Sequence, residues 1–419
     1  MHRRKGLCEL ALRLIRPARG DKFGRHYLGL KLTRNESASP KTALTGSARA
    51  VFRRLVFEGP STRPQIGSAL NLSSPTTSAA IAELERLGYV EMIGAVRGPL
   101  GRSASQYRVG SLAGHVIAVD AGSTHIRLRV STLDRRLLFS HVYRLPVRQF
   151  EANEVISRAV AQQVADAVAA AHPNWGPLTT IGIAVPTRVV GPGGDEEASR
   201  QKVVFTAFQP PAGVEVVLEN NVNCAAVAEQ QYGAAAGEDT FAYVQIGLKI
   251  GMGLILGGKL IRGRSGAAGE IGHLAFPLAP ASEPKPGEVE HYMGNESFIA
   301  RVRGFWPADA GAPPSDTAEL MLMAEQGHAE AQRHVDRHAA DIGAIVASCV
   351  SVVDPGLIVL GGGLGASPLM LPGVQATVDR LSYACKVRSS LLGPDATVLG
   401  IERLAIERGL SRILTNTNE

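Results

Sequence analysis

A run of apolar residues passes at once into a turn of small and polar residues in His115-Val-Ile-Ala-Val-Asp-Ala-Gly-Ser-Thr124. The apolar run predicts a buried strand, and residues 126–130 predict a second strand directly after the turn. Backbone N–H groups in such a turn can cradle a phosphate, while Asp120 would help to hold a metal or a water and Thr124 would bond a phosphate oxygen. On its own the turn is a weak signal, because any β-hairpin that contains a glycine can match it.

The arrangement of a strand followed by a glycine-rich turn recurs at residues 246–253 and 360–365. Further strands are predicted by the apolar runs at 181–185, 214–218, 243–246, 254–256 and 357–360. Helical patterns lie between them, at 151–171, 221–232, 296–304, 317–350 and 370–385. The alternation of strands and helices predicts an α/β fold, here with two similar halves over residues 111–419.

The composition is that of a globular protein with about two to four folding units. Of the 419 residues, 45% are hydrophobic and 20% are charged, which excludes a collagen, a coiled-coil rod and a largely disordered chain. No apolar stretch approaches the ~20 residues that span a bilayer. The four cysteines form no CxxC pair, which argues against a disulfide framework or a cysteine zinc site and favours a reducing cytoplasm.

The charge is divided unevenly along the chain. Residues 1–110 hold 19 Lys and Arg against 7 Asp and Glu, whereas residues 111–419 hold 25 against 31. A basic region joined to a mildly acidic one suggests a polyanionic partner for the basic part, most often nucleic acid. Within it, residues 1–45 are interpreted as a basic, disordered arm or as an overlong start of the reading frame, because they lack the apolar core and cleavage site of a secretory signal.

Residues 46–110 predict three helices and a β-hairpin, which is the order of elements in a winged helix-turn-helix DNA-binding domain. The glycine–proline pair at 59–60 ends the first helix, serine or threonine residues cap the next two, and Gly88 ends the third. Strands at 89–93 and 106–109 then enclose a glycine-rich tip. The sequence therefore predicts a DNA-binding domain at 46–110, followed by a larger domain at 111–419.

The start of the third helix offers short hydroxyl side chains that fit the major groove of DNA and can contact base edges or phosphates. Two arginines at the tip of the hairpin can reach phosphates or the minor groove. The candidate DNA-binding residues are Ser73, Ser74, Thr76, Thr77, Ser78, Arg97 and Arg102. The alternative is that the hydroxyls only cap the helix and the arginines are solvated.

Three further motifs resemble signatures of the ROK family, a group of repressors, open reading frames and sugar kinases. They read Leu218-Glu-Asn-Asn-Val-Asn-Cys-Ala-Ala-Val-Ala-Glu229, Gly263-Arg-Ser-Gly-Ala-Ala-Gly-Glu-Ile-Gly-His273 and Asp354-Pro-Gly-Leu-Ile-Val-Leu-Gly-Gly-Gly-Leu-Gly365. The resemblance implies a two-lobed, actin-like ATPase fold of the ribonuclease H type with a sugar between the lobes. Within this family, an N-terminal winged helix marks sugar-responsive transcription factors, and the kinases usually lack it.

The resemblance also implies a set of site residues. The groups that would hold the hydroxyls of the sugar are Asn220, Asn221, Glu270, His273 and Glu290. The positions that match the phosphate loops of the family, interpreted here as vestigial, are Asp120, Gly122, Thr124, Gly247, Gly251, Gly361 and Gly362. Thr187 replaces a glycine of the family beside the sugar and would reshape the pocket.

Two departures from the family pattern favour a regulator over a kinase. The kinases carry Asp at the position of Asn221, where it takes the proton from the attacking sugar hydroxyl. An amide is too weak a base for this step. Loss of a general base typically lowers the reaction rate by ~10²–10⁴. The second phosphate loop, Gly-Thr-Gly in the family, reads Gly247-Leu-Lys here. Leu248 has no hydroxyl to donate, and Lys249 either binds phosphate or reflects drift of the loop. No catalytic residue is expected.

A third departure concerns zinc. The family's zinc site combines the histidine of the second motif with three cysteines that follow it, and no cysteine occurs between His273 and residue 288. A structural zinc site needs four ligands, so no metal and no cofactor are expected. His334 and His338 have a metal-compatible i, i+4 spacing, but we interpret them as part of a solvated helix face. The cysteines at 224, 349 and 385 are predicted to be small buried residues.

The leading hypothesis is therefore a cytoplasmic, sugar-responsive transcriptional regulator, most simply a repressor of genes of carbohydrate metabolism. Its expected partners are operator DNA with an inverted repeat, a sugar or sugar derivative, and further copies of the chain in a homodimer or homotetramer, with no membrane. One alternative is an ATP-dependent sugar kinase with an accessory DNA-binding domain. Another is a DNA-binding protein that needs no ligand and has a vestigial sugar cleft.

Overall fold

The computed structural model describes residues 43–97, 103–146, 154–189, 210–274 and 285–415. The chain forms two compact units. The first comprises the described parts of 1–183, 202–217 and 404–419, and the second those of 184–201 and 218–403. Within the described ranges, no helix is both long and apolar enough to cross a membrane.

The first unit begins with three helices and a small sheet. The helices are α1 (Gly46–Glu58), α2 (Arg63–Leu70) and α3 (Ser74–Arg86), and the strands are β1 (Ser61–Thr62), β2 (Val90–Arg97) and β3 (Ser103–Val109). The strands pair in the order β1-β3-β2, and both pairings are antiparallel. The hairpin β2–β3 thus follows the third helix, as the sequence predicted.

Local signals in the sequence set the helix ends in this region. The Thr62 side chain accepts from the backbone N–H of Gln65, whose own side chain accepts from the Thr62 N–H, so a capping box starts α2. Asn71 adopts the left-handed conformation that ends the same helix. Ser73 caps α3, and Pro75 occupies the first turn, where its missing N–H costs nothing.

The apolar faces of α1 and α3 share one hydrophobic cluster with residues far away in the sequence. The cluster includes Val51, Phe52 and Leu55 of α1, and Ile81 and Leu84 of α3, all fully buried. It also contains Val116 and Leu133, together with Ala405, Ile406 and Leu410 from the last helix of the chain, α12 (Ala396–Thr415). Residues on both sides of the predicted boundary at 110/111 therefore contribute to one core, and the boundary itself stays a prediction.

The first five-stranded sheet has the order β6-β5-β4-β7-β8. Its strands are β4 (His115–Ala121), β5 (His125–Thr132), β6 (Leu137–Arg144), β7 (Leu178–Val185) and β8 (Glu215–Asn220). Strands β4, β5 and β6 form an antiparallel meander, and α4 (Glu154–Ala169) packs on β4 and β5. The candidate turn at 120–124 lies at the end of β4.

The second unit contains a sheet of the same order, β11-β10-β9-β12-β13. Its strands are β9 (Phe241–Ile246), β10 (Ile250–Leu256), β11 (Lys259–Ile261), β12 (Leu357–Gly361) and β13 (Lys386–Ser389). An antiparallel meander is followed here by strands that run parallel, β12 on β9 and β13 on β12. The two sheets repeat one arrangement, which agrees with the α/β fold of two similar halves predicted from the sequence.

Helices surround this second sheet. They are α5 (Asn221–Tyr232), α6 (Glu288–Met293), α7 (Asn295–Gly304), α8 (Thr317–Glu325), α9 (Ala329–Val353), α10 (Gly362–Gly365) and α11 (Leu371–Leu381). The single helix predicted over 317–350 was wrong. The chain leaves the helical path at Gln326, and Gly327 takes φ +86°, a left-handed conformation that ends α8.

Candidate functional site

The second unit places most of the predicted sugar-binding residues around the start of helix α5 and a short turn. Asn220 is the N-cap of α5: its Oδ1 accepts from the backbone N–H groups of Val222 and Asn223, at 2.9 and 3.3 Å. Its Nδ2 donates to the backbone oxygen of Thr187. The Asn220 side chain therefore holds the local backbone in place, and its predicted contact with a sugar stays a prediction.

Asn221 is the first residue of α5, and it is half-buried. The residue before the pair, Glu219, is 3% exposed and accepts from Asn223 Nδ2 at 3.0 Å and from Arg262 Nε at 2.6 Å. A buried carboxylate with these partners is a structural anchor for the start of the helix. The position where the kinases need a base thus carries an amide on a firmly held backbone.

Three predicted residues meet at the turn Ile271–His273, a single 3₁₀ turn that follows Glu270. Glu290, in the first turn of α6, packs against this turn: a Cβ atom on Gly272 would lie 3.1 Å from Glu290 Oε2 and 3.0 Å from the Ile250 oxygen. A side chain at this position would crowd both groups, so glycine favours the close approach. His273 is exposed beside them.

The charges around Glu270 show how close these groups lie. Burial raises the pKa of the Glu270 carboxyl above its usual range, His273 opposes this rise, and the neighbouring carboxylate of Glu290 adds to it. The guanidinium of Arg188 and the ammonium of Lys249 lower the pKa. The charges of His273, Glu290, Arg188 and Lys249 therefore all act on the Glu270 carboxyl.

Lys249 belongs to the altered second loop and faces the predicted sugar residues. Its Nζ lies 3.9 Å from Glu290 Oε1, and the two side chains are 39% and 35% exposed. The loop is anchored by its neighbours, because the oxygen of Gly247 accepts from the N–H of Asn295 at 3.0 Å. A Cβ atom on Gly251, in the strand that follows, would lie 3.2 Å from Val222 Cγ2 of α5.

The third glycine loop follows β12. Gly362 has φ +80°, and a side chain there would collide with the backbone oxygen of Ile246. A side chain at Gly361 would collide with the ring of Tyr243. Glycine is therefore required at both positions for the loop to lie against β9, whatever the loop binds.

The turn at 120–124 lies in the first unit. Asp120 is 5% exposed, and its carboxylate lies 3.6 Å from the guanidinium of Arg127, its register partner on β5. Thr124 Oγ1 is 2.9 Å from His125 Nδ1, and a Cβ atom on Gly122 would lie 2.7 Å from the His125 oxygen. Within this turn, the Asp120 carboxylate that was predicted to hold a metal or a water lies next to the Arg127 guanidinium.

The start of helix α3 presents three of the five predicted hydroxyl side chains to solvent, those of Ser73, Ser74 and Thr76, whereas Ser78 is half-buried. Ser73 Oγ accepts from the Thr76 N–H, so this residue caps the helix as expected. The exposed position predicted for Thr77 was wrong. Thr77 is 1% exposed and its hydroxyl donates to the Ser73 oxygen, because position 77 faces α2.

The hairpin after α3 carries the predicted arginines. Arg97 is exposed at the last position of β2, opposite Ser103 of β3. Arg102 lies outside the described residues, as do residues 1–42. The side chains of β2 from Met92 to Arg97 are all exposed, which leaves this strand accessible along most of its length.

Two residues of the site were not singled out from the sequence. Arg127 sits opposite Asp120 because β4 and β5 form a hairpin about the turn, a pairing that the turn position alone predicts. Arg188 follows Thr187 directly, but its approach to Glu270 depends on two separate loops and has no local signal. In the part of the chain that the structure describes, no three His, Cys, Asp or Glu residues are grouped so as to hold a metal ion.

Comparison with known proteins finds relatives of two kinds. N-acetyl-D-glucosamine kinase of Salmonella paratyphi B is 27% identical over 268 residues, covering 58% of this chain and 82% of the kinase. The xylose repressor of Caldicellulosiruptor bescii is 23% identical over 377 residues, covering 83% of this chain and 92% of the repressor.

A solved structure has the same fold. A ROK family transcriptional regulator, a homologue of the E. coli MLC protein, superposes with a TM-score of 0.67 at 18% identity and covers 88% of this chain and 98% of its own. The family model of the ROK family matches residues 116–407, which include the glycine loops, the start of α5 and the turn at 271–273. These motifs, the repeated sheet order and the match over most of the sequence lead to one assignment: the chain belongs to the ROK family.

Proposed function

We propose that this protein is a sugar-responsive DNA-binding regulator, in which residues 46–110 form a winged helix-turn-helix and the second unit binds a sugar or sugar derivative. The observation that carries the proposal is the N-terminal module, whose third helix opens with exposed hydroxyl groups and is followed by an exposed hairpin. Such a helix start suits the major groove, and the basic balance of the first 110 residues suits the phosphates.

The similarity to regulators supports the same proposal. The match to the xylose repressor covers 83% of the chain. The residues after 115 make up a smaller share of the chain than this, so the match extends into the N-terminal region. The match to the kinase covers 58%. An N-terminal DNA-binding module on a sugar-binding domain is the arrangement expected of a regulator.

One residue type and two contacts argue against the kinase alternative. Asn221 cannot accept a proton near neutral pH, and Asp120 faces Arg127 where a magnesium ion would need its carboxylate. Lys249 lies by Glu290 and replaces a glycine of the family's phosphate loop. Each of these features bears on nucleotide or proton chemistry, while Glu270, His273 and Glu290, the groups that would hold sugar hydroxyls, are kept. A regulator needs the groups that hold the sugar hydroxyls, and it can lose the groups that serve nucleotide binding and proton transfer.

The proposal predicts that DNA binding and sugar binding separate by mutation. Arg97→Ala and Arg102→Ala should weaken binding to DNA selected from a random library and lower the salt dependence by about one phosphate contact each. Neither should change sugar affinity. Glu270→Ala should do the reverse, because it removes a carboxylate acceptor for sugar hydroxyls. Anisotropy titrations measure the first effect and calorimetry the second.

Arg337→Ala is the matched control, since this arginine is 77% exposed on helix α9. It should leave both affinities unchanged. Equal loss of DNA and sugar binding in the Arg97 and Glu270 variants would contradict the division of labour. Turnover of Mg-ATP with any sugar, followed in a coupled assay, would instead support the kinase.

A further inference from the structure

Glu219 lies directly before the two asparagines at the start of helix α5, and both of its carboxylate oxygens have partners. Oε1 accepts from the backbone N–H of Asn220 at 2.9 Å and from Asn223 Nδ2 at 3.0 Å. Oε2 accepts from Arg262 Nε at 2.6 Å. One carboxylate thus holds the backbone before Asn221 and a side chain after it, and an arginine from another segment holds that carboxylate through a charge-assisted hydrogen bond.

Arg262 also closes the loop that leads to the other part of the predicted sugar site. It follows the last residue of strand β11, and its backbone oxygen accepts from the N–H of Ala268 at 3.2 Å. Gly263 takes φ +73° in this loop, where a Cβ atom would lie 3.3 Å from Ala268 N. Glu270 comes two residues after Ala268. Arg262 therefore contacts two segments that carry predicted sugar-binding residues, the start of α5 through its side chain and the loop at 263–268 through its backbone.

The two partners of this ion pair differ in burial. The side chain of Glu219 is 4% exposed, whereas that of Arg262 is 48% exposed. Without the arginine, Glu219 still accepts from two amide groups, so we expect the chain of an Arg262 variant to remain folded. What is lost is the restraint between the loop and the start of the helix. Ligand affinity is sensitive to such a loss, because a site that is already ordered loses less entropy when the ligand binds.

We propose that Arg262 is a positioning residue of the predicted sugar site, which ties the start of α5, with Asn220 and Asn221, to the loop that leads to Glu270. The inference rests on the proposed function, because it concerns the same ligand site. Arg262 acts through Glu219 and makes no contact with the ligand itself. Sugar affinity therefore depends on a half-exposed arginine that is not one of the groups predicted to bind the sugar.

The test is a double-mutant cycle on the full-length chain. The wild type, Arg262→Met, Glu219→Gln and the double variant are titrated by calorimetry with neutral sugars (glucose, galactose, mannose and N-acetylglucosamine) and with their anionic 6-phosphates. Arg262→Lys tests rescue, since a lysine can also donate a hydrogen bond to the Glu219 carboxylate. Arg388→Met is the matched control. Arg388 is 43% exposed, pairs with Glu238 and donates to the backbone oxygen of Ala234, and none of these three is a predicted sugar-binding residue.

For the sugar that binds the wild type most tightly, Arg262→Met and Glu219→Gln should each weaken binding roughly 10-fold, the effect of one hydrogen bond to a charged group. The double variant should bind at most about twofold more weakly than either single variant, because both substitutions break the same contact. Arg262→Lys should restore most of the affinity, and Arg388→Met should bind like the wild type. Without ligand, amide hydrogen exchange in Arg262→Met should accelerate at residues 219–223 and 263–270 and stay unchanged in strands β9 and β12.

Three results would overturn the inference and leave the proposed sugar response standing. If the two effects multiply in the double variant, Arg262 contacts the sugar itself. If Arg388→Met weakens binding as much as Arg262→Met, the loss reflects a general effect on the structure. If Arg262→Met binds like the wild type, the contact has no part in sugar binding.

Two further outcomes are also decisive. Should Arg262→Met fail to fold, Glu219→Gln and Arg262→Lys carry the test, and wild-type affinity in Glu219→Gln overturns the positioning role. If no sugar binds the folded wild-type chain, the proposed sugar response fails, and the positioning role fails with it.

Discussion

The two asparagines at the start of helix α5, Asn220 and Asn221, have different roles in the stability of the helix. Asn220 is the N-cap of the helix. Asparagine caps a helix about as well as aspartate does, so an amide at this position stabilises the helix start. Asn221 is the first residue within the helix, where an aspartate would add only about 0.3–1 kcal/mol through the helix dipole. Asn221→Asp, which introduces the residue that the family resemblance predicts for a kinase, should therefore change the stability of the helix start little.

His338 is an unusual buried residue of the second unit. It is 1% exposed, its ring stacks on Phe298 with the centroids 3.8 Å apart, and both ring nitrogens lack a hydrogen-bond partner among the described residues. Burial, with a smaller effect of Arg301, lowers the pKa of His338 to about 3. The solvated face predicted for this histidine was wrong, because the i, i+4 spacing says nothing about which side of the helix is covered.

This histidine predicts a loss of stability in mild acid. The unfolded chain binds the proton below its ordinary pKa near 6.5, whereas the folded chain resists it down to about pH 3, so stability falls as the pH drops through this window. At pH 5 the loss is about 2 kcal/mol relative to neutral pH. His338→Met should abolish that part of the loss in the free energy of unfolding, measured in urea at pH 7.5 and pH 5.0.

His141→Gln is the control, since His141 is exposed on strand β6. It should lose as much stability as the wild type between the two pH values. Equal losses in the wild type and His338→Met would show that the buried ring carries no pH dependence.

At the scale of elements, helix α12 ties distant parts of the first unit together. Ile406 and Leu410 are 1% and 3% exposed within the same cluster as α1 and α3. Arg412 donates to the backbone oxygens of Thr179 and Gly213, at 3.0 and 2.7 Å. The proposed DNA-binding module thus shares a hydrophobic cluster with helix α12, so changes in α12 can reach it.

Truncation of Ile406 tests this packing. Ile406→Ala should destabilise the first unit by about 2–5 kcal/mol, because it leaves a cavity in a closed core. Amide hydrogen exchange should accelerate in α1 and α3, which share that core. Ser411→Ala, at an exposed position of the same helix, should leave exchange in α1 and α3 unchanged. Unchanged exchange in Ile406→Ala would mean that α1 and α3 are stable without α12.

Elements differ in how far the sequence predicts them. Helix α5 occupies residues 221–232 as expected, and the caps and glycines that bound α1 to α3 are strong local signals. Helix α12 was not predicted, because its apolar stripe is interrupted by charged residues, among them the fully buried Glu402. Local signals predict helix ends, whereas burial of a charged residue depends on contacts that only the folded chain makes.

The candidate site shows the same limit. Glu270, His273 and Glu290 could be named from the family motifs, and Glu290 packs against the turn that Glu270 and His273 flank. The approach of Arg188 and Lys249 to these residues could not be named, because the loops that carry them are separated by about sixty positions and meet only in the fold. The exposure predicted for Thr77 was wrong because its neighbours in the sequence are exposed, whereas its own side chain is buried against α2.

At the scale of the whole molecule, the charge of the chain changes between the N-terminal region and the family domain. The N-terminal 110 residues are strongly basic, whereas the remainder, which contains the family domain, is mildly acidic. Residues of helix α12 up to 403 belong to the second unit, and those from 404 belong to the first. A ligand shifts DNA binding only as far as its affinities for the two states differ.

The central claim, that a sugar ligand controls DNA binding, is tested most directly by one anisotropy titration. The full-length chain is titrated onto DNA selected from a random library, with and without each neutral and anionic sugar at saturation. We expect specific binding whose affinity changes at least fivefold with one sugar, the usual lower range of allosteric coupling. Specific binding that no sugar alters, or no specific binding at all, would contradict it.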